Sequence, residues 1–254
     1  MPALHPTDSK PACTGALTQH ARNCSPNVEP NGSMPGHTHF AESIEEYLEA
    51  VYRLEREGPG VTTSGLASEL GVSPASASAM IKKLANDGYV EHKARGEAKL
   101  TRTGLEVAVR VIRRHRLAER LLTDVLGMPW DQVHSEACML EHAISARVEE
   151  QLVRVLNDPK TCPHGHPIPP LDLSEPHRPG VPLAQLESDS CAVVHGVTEE
   201  VPEILRYLDE IGLRPGARVR VGPKAPLGGP VSIEIEGQEH AISLELARMV
   251  IVIE

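Results

Sequence analysis

The chain has 254 residues, a formal net charge of −10 and only 2% aromatic residues. That length allows one large domain or two to three small ones, with cores built from Leu, Val, Ile and Ala. The negative balance argues against a general polyanion binder, although a local basic patch can hide in such an average. Five scattered cysteines (13, 24, 138, 162 and 191) suit a reducing cytoplasm and speak against a disulfide framework. No apolar run spans a bilayer and no secretory signal opens the chain, so a cytoplasmic location is expected.

Residues 1–40 are rich in Pro, Gly, Ser, Thr and Asn, without hydrophobic period, and read as a disordered tail. Its Cys13, Cys24, His37 and His39 are too irregularly spaced for a convincing metal site. From residue 43, Ile44, Tyr47, Leu48, Val51, Tyr52 and Leu54 form one helical stripe ended by Gly58-Pro59-Gly60. A short helix follows in TTSGLASEL, then a turn at Gly71-Val72. The next helix starts with Ser73 as N-cap and Pro74 at its first position, and Gly88 ends it. YVEHKARGEAKLTRTG alternates on both sides of Arg95-Gly96, the pattern of a β-hairpin. This order predicts a winged helix-turn-helix over residues 41–106.

After Thr103, read as an N-cap, two long helices are predicted, over 104–127 and 130–157. Their apolar faces (Val107, Val111, Leu117, Leu121 and Leu122; Val133, Leu140, Ile144, Val148, Leu152 and Val155) predict a helical dimerisation domain over 107–157. Residues 158–188 read as a Pro-rich linker, in which CPHGH resembles a metal tract but is taken as a turn-rich loop. Residues 189–254 carry several short strands, with a turn at Glu236-Gly237 and a last strand in ARMVIVIE, and one helix, which predicts a small SH3-like β-barrel. The fold expected is therefore mainly α, with a C-terminal barrel.

Between residues 80 and 116, ten basic side chains face four acidic ones, a local balance of +6. The basic ones (Lys82, Lys83, Lys93, Arg95, Lys99, Arg102, Arg110, Arg113, Arg114 and Arg116) fall on the third helix, the wing and the helix after it, where phosphates would lie. The start of the third helix (Ser73, Ala75, Ser76, Ser78 and Ala79), with Thr63 on the second, is small and weakly polar. It has no Arg or Asn for bidentate base reading, so DNA shape, water and thymine methyls would carry specificity.

His134, Cys138, Glu141 and His142 fall on one helical stripe about 100° wide, at about 100° per residue. The preceding helix offers His115 and Glu119 at i and i+4, and the first helix offers Glu46 and Glu49. Each pair alone suits a solvated surface, but together they place N, O and S donors on three helices, which favours metal binding. No HExxH motif, nucleophile elbow or phosphate loop is present, so no enzyme is expected.

The segments YLEAVYRLE, RRHRLAERLLTDVLG, VHSEACMLEH and PHGHPIP resemble the diphtheria-toxin-repressor (DtxR/MntR) family of iron- and manganese-dependent regulators. The resemblance covers residues 42–254 and implies a homodimer, a C-terminal FeoA-like domain, and Fe²⁺ or Mn²⁺ favouring binding to a palindromic operator, usually in repression. Carried over by position, it places Glu46, Cys138, Glu141 and His142 in one site, and His115, Glu119 and His134 in a second. Glu199 or His195 of the barrel would complete the second, because the neighbouring acidic position of the family reads as Gly196 here. Glu46 stands where iron-type members have methionine, and Glu49 matches a manganese-type ligand; both favour Mn²⁺. Cys138, a softer donor, keeps Fe²⁺ as the alternative. A metal-independent winged-helix regulator and a metal-dependent hydrolase are the competing readings.

Overall fold

The computed structural model describes residues 39–58, 60–92, 97–174 and 180–253. The tail expected over residues 1–40 therefore lies almost wholly outside the described residues, as do Lys93 and Arg95.

Helix α1 (His39–Glu57) buries Tyr47, Leu48, Val51 and Tyr52, the stripe legible in sequence. Each such side chain contributes roughly 1.5–3 kcal/mol when fully removed from water. Helix α2 (Thr63–Glu69) starts at Thr62, whose hydroxyl accepts from Gly65 N. Helix α3 (Pro74–Asn86) starts at Ser73, whose hydroxyl accepts from Ser76 N, and buries Ala77, Ile81 and Leu84. Strands β1 (Val90–His92) and β2 (Ala98–Leu100) pair antiparallel as the wing, and Val61 bridges to Ala98. These elements share one core, closed by Ala108, Val109 and Ile112 of the next helix.

Helix α4 (Arg102–Arg120) is capped by Thr101 rather than the expected Thr103, because the Thr101 hydroxyl accepts from Gly104 N. It runs on into one π-helical turn, Leu121–Val125. The second long helix of the sequence reading is two: α5 (Val133–Glu141) and α6 (Ala146–Val155). The break falls where Ser145 leaves the helical conformation to cap α6 through Val148 N. Leu117, Ala118, Leu122, Val133, Ala137, Ile144, Leu152 and Ile168 form the core of this region. Val125, Leu126, Met139, Leu140, Val148 and Val155 stay exposed.

The C-terminal part is a six-stranded antiparallel sheet in the order β3-β8-β4-β5-β6-β7. Its strands are β3 (Val181–Pro182), β4 (Cys191–Val197), β5 (Arg218–Lys224), β6 (Val231–Ile235), β7 (Gln238–Ile242) and β8 (Val250–Ile253). Helix α7 (Pro202–Glu210) packs Leu205 and Leu208 into its core. The expected hairpin turn at Glu236-Gly237 forms, both residues having positive φ. A short helix α8 (Leu244–Met249), capped by Ser243, occupies the start of what the sequence suggested was one strand. Trp130, just before α5, is buried in this sheet's core and so joins it to the helices. Among the described residues, no helix is long and apolar enough to cross a membrane.

Residues 159–170 are held against α4 rather than looping free. Arg120 Nε donates to Thr161 O at 2.7 Å, Arg116 to Pro167 O, and Arg113 Nη1 to Pro169 O at 3.1 Å. Arg113 and Arg114 also donate to the two carboxylate oxygens of Glu149 at 2.9 and 3.3 Å. The +6 patch is thus divided: Arg113, Arg114 and Arg116 hold the fold together, whereas Lys82, Lys99, Arg102 and Arg110 are exposed.

Candidate metal centre

Helix α4 points His115 and Glu119 at α5, and both are buried. Two polar clusters meet there. In the first, at the end of α5, Glu141 Oε2 accepts from His115 Nδ1 at 2.6 Å and Glu141 Oε1 lies 3.3 Å from His142 Nε2. His142 Nδ1 donates in turn to Glu45 Oε2 of α1 at 2.6 Å. Glu45, which the sequence reading passed over, is therefore a direct contact between α1 and His142, and the Glu46 charge also raises the His142 pKa. Glu49 is buried and paired with Arg53 at 3.7 Å. Burial and then the Glu49 carboxylate raise the Glu141 pKa, as expected where two acids crowd a dry site.

The second cluster lies where α4, α5, the loop 162–166 and the start of α7 converge. His134 Nδ1 is 2.8 Å from Glu200 Oε2 and 3.6 Å from Glu119 Oε1. His164 Nδ1 is 3.4 Å from Glu119 Oε1, and His166 Nε2 is 3.0 Å from Glu200 Oε1. Cys162 Sγ, buried and reduced, lies 3.9 Å from His164 Nδ1. His134 also faces the first cluster, its Nε2 being 3.8 Å from Cys138 Sγ. Cys138 itself is disulfide-bonded, a departure from the expected reduced thiols, and only its reduced form can act as a ligand.

The structure gathers three groups whose donor atoms all lie within 4.8 Å of one another: His115, His134 and Cys138; His115, Glu119, His134 and Glu200; and Glu119, Cys162, His164 and Glu200. A cation fits this chemistry. Glu119 is fully buried, yet its Oε2 has no hydrogen-bond partner among the described residues, a cost that a metal bond would remove.

The barrel residue that enters these groups is Glu200; neither Glu199 nor His195 does. The reason is a backbone crossing. A Cβ on Gly196 would lie 2.4 Å from His164 O, and one on Gly165 would lie 2.4 Å from His195 O. Two glycines thus let the 162–166 loop press against β4, and the acid comes from the turn beyond the strand. Cys162, His164 and His166 were visible in sequence as CPHGH, where the prolines suggested a loop of no chemical consequence. That loop is what presents the donors.

Electrostatics follow from this burial. Desolvation opposes a charge on His115 and His164, but the surrounding carboxylates, Glu119 and Glu141 for the one and Glu200 and Glu119 for the other, outweigh it and hold both well above the usual imidazole range. Burial likewise opposes a charge on His134, yet hydrogen bonds to Glu119 and Glu200 raise it to about 8. A pKa above the ordinary 6.5 stabilises the metal-free fold fully below pH 6.5, and that contribution is lost as pH rises through about 8. Metal-free protein is therefore expected to melt at lower temperature as pH rises across that window. Added Mn²⁺ should stabilise it more at the upper end, because the ion needs the neutral imidazole. Thermal scans in chelator and in Mn²⁺ check this; a metal-free melting temperature that climbs with pH would contradict it.

Of the expected DNA-contacting residues, Ser73, Ala75, Ser76, Ala79, Lys82 and Lys99 are exposed, while Thr63, Ser78 and Lys83 are half-buried. The Ser73 hydroxyl is occupied in capping, and Lys83 Nζ pairs with Asp87 at 2.9 Å.

Known proteins resemble this chain in sequence and fold. Three family models match in succession: iron dependent repressor, N-terminal DNA binding domain, over residues 39–98; iron dependent repressor, metal binding and dimerisation domain, over 101–170; and the FeoA domain over 181–254. The iron-dependent repressor IdeR of Mycobacterium tuberculosis is 38% identical over 213 residues, covering 79% of this chain and 92% of that protein. The diphtheria toxin repressor of Corynebacterium diphtheriae is 41% identical over 133 residues, 52% of this chain and 59% of that one. Among solved structures, a manganese-dependent transcriptional repressor in complex with manganese superposes with a TM-score of 0.75 at 34% identity, over 83% of this chain and 99% of that chain. Fold, domain order and sequence agree, and the chain belongs to the diphtheria-toxin-repressor (DtxR/MntR) family of metal-dependent transcriptional repressors.

Proposed function

We propose that this chain is a transcriptional repressor whose homodimer binds operator DNA when divalent metal, Mn²⁺ in preference to Fe²⁺, is held between its DNA-binding and dimerisation helices. The observation that carries this reading is the contact between α1 and the end of α5, where Glu45 meets His142 at 2.6 Å beside Glu49 and Glu141. A bound cation supplies positive charge and fixed coordination directions to donors that otherwise repel one another. Glu46, Glu49, Cys138, Glu141 and His142 form the first ligand set of this reading; His115, Glu119 and His134, with Glu200 from the barrel, form the second. Fixing α1 against α5 sets the angle at which the two α3 helices of a dimer meet successive major grooves, which calls for a palindromic operator. The exposed face of Val125, Leu126, Met139, Leu140, Val148 and Val155 is the surface we assign to the second subunit. Binding to operator DNA places the protein in the cytoplasm.

The carboxylate-rich first set supports Mn²⁺, and the manganese-dependent repressor among the structural relatives agrees with it. Fe²⁺ is the second reading, supported by the Cys138 thiol once reduced and by the iron-dependent relatives. Titrating reduced protein with Mn²⁺, Fe²⁺, Co²⁺ and Zn²⁺ against operator DNA ranks them directly.

Lys82 and Lys99 are exposed on α3 and the wing, in reach of phosphates. Replacing either with Ala should reduce the slope of log affinity against log salt by about one and weaken binding to all sequences alike. Salt titrations of operator and unrelated duplex test this; an unchanged slope would remove that residue from the interface.

A further inference from the structure

Arg53 follows Glu49 by one turn of α1 and stands between two carboxylates. Its Nη2 lies 3.7 Å from Glu49 Oε1, and its Nε lies 3.8 Å from Oε1 of Glu69, the last residue of α2. Both distances suit an ion pair and exceed the roughly 3.2 Å limit of a normal N–H···O hydrogen bond. Arg53 Nε is buried and has no hydrogen-bond partner among the described residues, so nothing yet offsets the loss of its water. Burial opposes a charge on Arg53, but Glu49, then Glu69, Glu200 and Glu141 outweigh it and keep the guanidinium pKa raised.

The two carboxylates serve different parts of the molecule. Glu49 belongs to the first ligand set proposed above. Glu69 ends α2, and α2 is fixed to α3: Val72 N donates to Ala67 O at 3.0 Å across the turn, and Leu66 and Ala67 share a core with Ala77, Ile81 and Leu84. A pull on Glu69 is therefore a pull on the helix that would enter the major groove. A divalent cation held by Glu49 adds two positive charges beside the Arg53 guanidinium and repels it. Glu69 is the other carboxylate in reach, and a small approach to it gives the orphaned Nε its hydrogen bond.

We propose that Arg53 is the positioning residue that couples metal to the DNA-binding unit: without metal it is shared between Glu49 and Glu69, and a cation on Glu49 hands it to Glu69, drawing α2 and α3 onto α1. The inference rests on the metal-dependent reading above and says how the first ligand set reaches the recognition helix. Arg53 competes with metal for Glu49, whereas Glu69 draws Arg53 away from Glu49. Removing the one should therefore strengthen metal binding, and removing the other should weaken it. Either removal breaks the link to α3, and because coupling is reciprocal, operator DNA then does less to tighten metal binding.

The test titrates full-length, reduced protein with Mn²⁺, reading the free ion by electron paramagnetic resonance; the binding component that Glu49→Ala abolishes is the first set. In that component Arg53→Met should bind Mn²⁺ about 2–30-fold more tightly, and it should lose a factor of similar size from the metal-dependent gain in operator affinity. Glu69→Gln should bind Mn²⁺ more weakly and lose operator gain as well. Arg53→Lys keeps the charge and should lie closer to the wild type than Arg53→Met on both readouts. An ion pair that only holds the fold would lower the melting temperature of both charge-removing variants in chelator without moving their Mn²⁺ affinities in opposite directions. Overturning results are a Glu49→Ala variant that loses no component, an Arg53→Met variant whose Mn²⁺ affinity is unchanged or weaker, or one that keeps the full operator gain. If Mn²⁺ still promotes operator binding by the wild type in those cases, the Arg53 coupling is wrong and the repressor reading stands. If Mn²⁺ leaves wild-type operator binding unchanged, the repressor reading fails and the coupling with it.

Discussion

Replacing Glu141 with Ala is expected to collapse the metal-dependent gain in operator affinity, on the order of 5–150-fold for coupled sites, to about unity. Glu141 stands where both clusters meet. Its Oε2 orients His115 at 2.6 Å, its Oε1 faces His142 at 3.3 Å, and the Glu49 carboxylate presses on it from α1. Removing it takes away a donor of the first set and lets the His115 ring turn, so the loss reaches both sets. The exposed apolar face does not include Glu141, so the dimer should survive. Mobility shifts with and without Mn²⁺, in reductant to keep Cys138 as a thiol, together with sedimentation, measure both points. A variant that responds to Mn²⁺ like the wild type would remove Glu141 from the ligand set.

The second large effect is on stability. Glu149→Ala should cost about 3–5 kcal/mol, the range for stripping one partner from a buried ion pair. Glu149 accepts from Arg113 and Arg114 at 2.9 and 3.3 Å, and the three side chains are only 7%, 16% and 14% exposed. Without it, two guanidinium groups remain desolvated against α6 and the 159–170 segment. Arg110→Ala, at an exposed position of the same helix, should stay within about 0.5 kcal/mol of the wild type. Urea unfolding compares the two, and a Glu149 variant as stable as the Arg110 variant would show that the pair contributes nothing. The comparison also separates arginines that hold the fold from basic residues free to meet phosphate, a distinction invisible in the +6 charge count.

The winged helix was legible because its signals are local. Ser73-Pro74 opens α3, Gly88 closes it, and the stripe of α1 repeats within one helix. The barrel hairpin was legible for the same reason, through Glu236-Gly237. What sequence reading missed depends on contacts between distant segments. The break between α5 and α6 lies in residues that tolerate a helix, and only the use of Ser145 as a cap reveals it. The barrel donor was placed at Glu199 or His195 because nothing local shows that Gly165 and Gly196 cross and bring Glu200 to His134. CPHGH was set aside for its prolines, although its flanking residues Thr161 and Pro167 are held by Arg120 and Arg116, 41 and 51 residues away in sequence. No local pattern reports contacts over such distances.

The central claim is that metal, held between α1 and α5 by donors such as Glu46, Glu49, Glu141 and His142, sets operator affinity. The most direct measurement is the affinity of reduced, full-length protein for operator DNA, titrated with Mn²⁺ and repeated in chelator at constant salt. Affinity should rise by roughly 5–150-fold as Mn²⁺ is added and return to the starting value in chelator. Equal affinity in Mn²⁺ and in chelator would contradict the account.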